Sequence, residues 1–210
     1  FMASDTGNST MAPGSSVYLT KPIDLLGDET IGWISQNTGI DGDTKNLVQF
    51  NIGKEIQIAA IGNSLTEATK TEKAIGILQD HAKKTNTAAV IEIGEHTKGS
   101  IGVYAKKGEL NITAPAANSG ITSSKIDLQG GKDNIGMVAT STTVNNATVN
   151  FDGEAKISGG EDQKLALAEA GGKVTVGSSI LKRGTDAINT RAGGTNSVIA
   201  YADGNNVTNV

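Results

Sequence analysis

The sequence predicts an all-β solenoid, with short strands wound into stacked coils. Three observations point there. A short Ile-Gly motif returns about every thirty residues, and apolar–polar–apolar triplets precede it in most units. The third is composition. Glycine supplies 27 of 210 residues, about 13% against a usual share of roughly 7%, while aromatics supply only 3%. So few rings give little bulk for a conventional core, which Ile, Val, Leu and Ala must build instead.

The elements follow in chain order. Residues 1–16 are rich in Ser, Thr, Gly and Asn, with Pro13, and show no apolar period. They read as a flexible or extended leader. The repeats occupy residues 17–210. Each copy of the motif is a small or polar residue, Ile-Gly, two apolar residues and a small or polar one. The copies are Thr30-Ile31-Gly32-Trp33-Ile34-Ser35, Ala74-Ile75-Gly76-Ile77-Leu78-Gln79, Ser100-Ile101-Gly102-Val103-Tyr104-Ala105 and Asn134-Ile135-Gly136-Met137-Val138-Ala139. Two degenerate copies begin at Lys164 and Ser197. Their first apolar residues, at 31, 75, 101, 135, 165 and 198, are separated by 44, 26, 34, 30 and 33 residues. This is a period with variable insertions, not the strict period of a leucine-rich or ankyrin array.

The triplets are Ile23-Asp24-Leu25, Ile56-Gln57-Ile58, Ile91-Glu92-Ile93, Ile126-Asp127-Leu128, Ala155-Lys156-Ile157 and Val174-Thr175-Val176. Period-two alternation with branched residues marks a strand with one buried face. Gly27, Gly94, Gly130, Gly159 and Gly177 follow and are read as corners at positive φ. Such strands bury a face only by stacking on neighbours. Two internal columns are expected. One is Ile31, Ile75, Ile101, Ile135, Leu165 and Val198; the other is Trp33, Ile77, Val103, Met137, Leu167 and Ala200. About six or seven coils result. Residues 63–85 read as an insertion, with a capping box at Ser64-Leu65-Thr66-Glu67 and a helical turn, although Ile75-Gly76 inside it continues the repeat.

Few residues carry chemistry. The central triplet residues Asp24, Gln57, Glu92, Asp127, Lys156 and Thr175 are expected to form an outward column. Glu92 and Asp127 are its only consecutive acidic pair. A catalytic pair of carboxylates would have to come from them; a solvated ladder is the plainer reading. His81 and His96 without Cys make a poor metal site, even with Glu92 and Glu95 near His96. Ser179 and Lys182 fit Ser-x-x-Lys without its partner motifs. No dinucleotide or P-loop glycine pattern occurs. With no Cys, cysteine nucleophiles, disulfides and thiolate metal sites are excluded. The longest apolar run, Val198–Ala202, is far short of the about 20 residues a membrane helix needs. A net charge of −4 and no basic run longer than two argue against nucleic acid. Tyr104 and Tyr201 share one repeat position, opposite the aliphatic columns, and are the candidate binding-surface residues.

The Ser-Ile-Gly-Val-Tyr-Ala and Asn-Ile-Gly-Met-Val-Ala copies, with Asn- and Thr-rich turns at 140–150 and 193–196, resemble the passenger region of type V autotransporters. The chain is most similar in style to the large fusobacterial-type adhesins of that class. The resemblance implies a right-handed parallel β-helix, exported to the cell surface and tethered to the outer membrane by a C-terminal β-barrel. This sequence lacks the barrel pattern, so a fragment of a longer chain is expected. The implied function is adhesion: a monomeric segment that binds, or presents surfaces to, a glycan or protein receptor on a host or bacterial cell. No enzyme activity, cofactor or metal is expected. The rivals are a β-helix polysaccharide lyase or hydrolase and a trimeric fibre.

Overall fold

The computed structural model describes residues 2–5, 16–19, 24–37, 48–52, 57–61, 70–80, 84–113, 123–141, 146–177, 194–203 and 207–209. The described residues form strands, turns and bends and contain no helix. They build four sheets, and every strand pair in them is parallel.

Sheet I has seven strands in the order Met2–Asp5, Ile31–Asn37, Ile75–Asp80, Ile101–Ala105, Ile135–Thr140, Lys164–Glu169 and Val198–Ala202. Sheet II also has seven: Ser16–Leu19, Val48–Ile52, Lys84–Thr87, Gly108–Ile112, Ala147–Phe151, Lys173–Val176 and Val207–Asn209. Sheet III has five: Asp24–Leu25, Gln57–Ile61, Val90–Ile93, Ser124–Leu128 and Gly153–Ile157. Sheet IV pairs Thr71–Glu72 with Thr97–Lys98, and single bridges through Lys132, Glu161 and Thr195 extend it. The chain visits sheets I, II and III in turn and pairs each strand with its counterpart one visit later. That is a solenoid-like β fold. Met2–Asp5, within the expected leader, pairs with residues 34–37. Ile75–Asp80, within the expected insertion, lies between two sheet I strands. The capping-box residues and His81 lie outside the described residues.

The corner before each of the six sheet I strands from Ile31–Asn37 onward sets the stacking. Glu29, Lys73, Gly99, Asp133, Asp162 and Asn196 all take left-handed backbone, with φ between 54° and 61°. Asp and Asn tolerate this region better than Glu and Lys do. Hydrogen bonds to the next corner offset the strain. The Glu29 amide donates to the Glu72 carbonyl at 2.8 Å, and Lys73 to Lys98 at 2.8 Å. Gly99 donates to Lys132 at 2.9 Å, Asp133 to Glu161 at 3.0 Å and Asp162 to Thr195 at 2.9 Å. Behind these corners runs a buried polar seam of Thr71, Thr97, Ser100, Asn134 and Gln163. Asn134 donates to Thr97 Oγ1 at 2.9 Å and to the Gly130 carbonyl at 3.0 Å, and accepts from the Ser100 amide at 2.9 Å. The Gln163 Nε2 amide donates to the Gly130 and Gly131 carbonyls at 2.9 and 3.0 Å, so the buried donors of Asn134 and Gln163 are paired.

The five glycines expected at positive φ are not among those that adopt it. Gly130 and Gly159 are needed for another reason. A Cβ would sit 2.7 Å from Glu95 Cα at the first and 2.6 Å from the Gln129 carbonyl oxygen at the second. The glycine of the Ile-Gly motif is also a close-approach residue. A Cβ on Gly102 would meet the Gly136 carbonyl oxygen at 2.6 Å. It would also point at Ile91 of sheet III, so this position faces inward.

That orientation corrects the first expected column. Ile31, Ile75, Ile101 and Ile135 do stand in register, but at the rim and outside the apolar core cluster. Ile31 is 37% exposed. The second column forms the core wall: Trp33, Ile77, Val103, Met137 and Ala166 are buried. Its fifth member is Ala166 rather than Leu167, because Ile135 pairs with Lys164 and Met137 with Ala166. The degenerate copy therefore starts one residue earlier than its apolar pattern indicates. Leu165 stands in the glycine slot of its coil and Ala166 in the large-residue slot. In the last coil Ala200 keeps the register beside Ala166 but is exposed, so the expected sixth member lies outside the core. The remaining core walls are Ile91, Ile93, Ile126, Leu128 and Ile157 from sheet III and Leu110, Ile112, Val149, Phe151 and Val174 from sheet II.

Gly102→Ala is expected to destabilise by about 1–3 kcal/mol, because the neighbouring backbone has no room to yield. Gly99→Asn is expected to cost less, on the order of 1 kcal/mol, because a Cβ there meets only Lys73 Cγ at 3.7 Å and Asn196 holds the same left-handed corner. Urea unfolding of both variants checks the contrast; equal losses would contradict it.

Candidate functional site

The outward sides of the three main sheets hold the candidate site residues, and the three differ in chemistry. On sheet III, alternation turns Ile91, Ile93, Ile126 and Leu128 inward and the residues between them outward. Register then sets Asp24 beside residue 60, residue 60 beside Glu92, Glu92 beside Asp127, and Asp127 beside Lys156. The structure thus brings the two expected carboxylates together. Gln57 and Thr175 do not join them. Gln57 pairs with Val90, where the register shifts, and Thr175 belongs to sheet II.

Lysines knit this column together. Lys125 Nζ lies 3.2 Å from both Glu92 Oε1 and Asp127 Oδ2. Lys156 Nζ lies 3.3 Å from Asp127 Oδ2 and 3.7 Å from Glu154 Oε1. Ser158 donates to Asp127 Oδ1 at 2.6 Å. The Asp127 side chain is only 5% exposed. Burial opposes the charge on Lys125, but hydrogen bonds to Glu92 and Asp127 outweigh it and leave its pKa raised above the usual lysine value. Chemically this is an ion-pair lattice across three rungs. A substrate using Asp127 would have to displace one of its three donors.

Sheet II carries a ladder that the sequence reading missed. Asn86, Asn111 and Asn150 are in register. Asn111 Nδ2 donates to Asn86 Oδ1 at 2.9 Å, and Asn150 Nδ2 to Asn111 Oδ1 at 2.8 Å. The signal was Asn at the centre of Thr85-Asn86-Thr87, Leu110-Asn111-Ile112 and Val149-Asn150-Phe151. Beside it Lys84 Nζ and Glu109 Oε1 lie 2.9 Å apart. The Lys84 hydrogen bond is the largest influence on Glu109. With help from Asn111 and Asn150 it overcomes burial and lowers the carboxyl pKa.

Sheet I differs from both. Ile34, Leu78, Tyr104, Val138, Leu167 and Tyr201 form one column. They lie on the opposite side of the strand from the Trp33 column. Tyr104 and Tyr201 therefore share a column, but at separate rungs, with Val138 and Leu167 between them. Tyr104 is half-buried, with Lys106 Nζ 5.7 Å from its ring centroid. Tyr201 is 44% exposed. Leu78, Val138 and Leu167 are buried yet lie outside the core cluster.

His96 is half-buried and Glu95 exposed. Among the described residues no group of three or more His, Asp or Glu is placed to hold a metal ion. No helix among them is long and apolar enough to cross a membrane. Ser179 and Lys182 lie outside the described residues. No protein-family model, curated protein or solved structure matches the chain.

Two outcomes test the ladders. Lys125→Met leaves Glu92 and Asp127 facing each other and is expected to cost about 1–3 kcal/mol in urea unfolding, below the range for a fully buried pair because Lys125 keeps some solvent. The lowered pKa of Glu109 means its contribution is present above the ordinary carboxylate range and lost as pH falls through it. The melting-temperature gap between wild type and Glu109→Gln is expected to narrow from about pH 7 to about pH 3; a gap that widens would contradict this.

Proposed function

We propose that this chain is a segment of an adhesive surface rod: a right-handed parallel β-helix of about six or seven coils from a type V autotransporter passenger. In this reading it stands outside the cell, held by a C-terminal β-barrel that follows elsewhere in a longer chain. It binds, or presents surfaces to, a glycan or protein receptor on another cell. The observation that carries the reading is the in-register polar ladder on sheet II. Asn86, Asn111 and Asn150 repeat one amide per rung, roughly every 4.8 Å along the stack. Asn111 is buried between the half-buried Asn86 and Asn150, so the ladder offers a rigid, repetitive polar edge that suits a repetitive or multivalent partner and needs no titrating group, cofactor or metal. The motif resemblance supports the same reading.

A second reading has an observation of its own. Glu92 and Asp127 are direct neighbours on adjacent strands and share Lys125. Paired carboxylates beside a lysine are what a polysaccharide lyase or hydrolase on this scaffold would use.

Binding of the purified chain to glycan arrays and to whole host and bacterial cells separates the two. The adhesin reading expects saturable binding that weakens when Asn111 and Asn150 are replaced by Asp, with no turnover of acidic polysaccharides. Turnover that disappears in Glu92→Gln or Asp127→Asn would overturn it in favour of the enzyme.

A further inference from the structure

We draw no further inference here: the strongest candidate, the apolar outward column of sheet I running from Ile34 through Leu78, Tyr104, Val138 and Leu167 to Tyr201, is an unpartnered sheet face, and nothing in the structure shows what covers it.

Discussion

Each coil is seated on the next by the left-handed corner before a sheet I strand. There the amide of one residue, held near φ 55–60°, reaches the carbonyl of the following corner. The strained conformation costs on the order of 1–2 kcal/mol at a non-glycine residue. It persists at Glu29, Lys73, Asp133 and Asp162 because the bond beside it and the seam behind it offset that cost. Once the corner is fixed, the next residues have no freedom of register. The Ile turns to the rim, and the glycine passes under the carbonyl of the neighbouring coil. The following large side chain then enters the core. The motif glycines Gly32, Gly102 and Gly136 follow from this close approach.

Register then decides surface chemistry. A parallel stack without slippage places like positions of successive coils directly beside one another. A polar residue at one alternating position thus becomes a ladder. On sheet II, amides chain into one another. On sheet III, opposite charges alternate closely enough for Lys125 to serve two carboxylates on two strands. Sheet I departs from this scheme. Its outward column from Ile34 to Tyr201 is apolar, while the next outward position is polar again, with Asp80, Thr140 and Glu169.

The period and the alternation made much of this legible. The Ile-Gly copies at 31, 75, 101 and 135 align without error, and the Glu92–Asp127 neighbourhood followed from counting triplets. Three features were hidden for physical reasons. Leu165 fills the glycine slot of its coil while Ala166 shrinks to compensate, so an apolar pattern aligns it one residue late. The left-handed corners carry Glu, Lys, Gly, Asp and Asn, because the backbone conformation recurs while the side chain does not. Gln57 resembles the central residue of a triplet, but the register sets residues 59–61 against Ile91, Glu92 and Ile93, so residue 60 takes the central place. The amide ladder had a signal in three Asn-centred triplets, obscured because the first has Thr on both inward sides.

The chain contains no cysteine, so introduced pairs report on stacking without background. Ile135 and Lys164 are direct partners at the rim, whereas Leu165 turns into the core. Neighbouring strands about 4.8 Å apart fall within the Cα range that a disulfide spans, about 4.4–6.8 Å. The most direct measurement is therefore oxidative cross-linking of Ile135→Cys/Lys164→Cys against Ile135→Cys/Leu165→Cys. Efficient closure of the first pair alone is the predicted result. Closure of the second pair in preference to the first, or of neither, would contradict the stacking register on which the account rests.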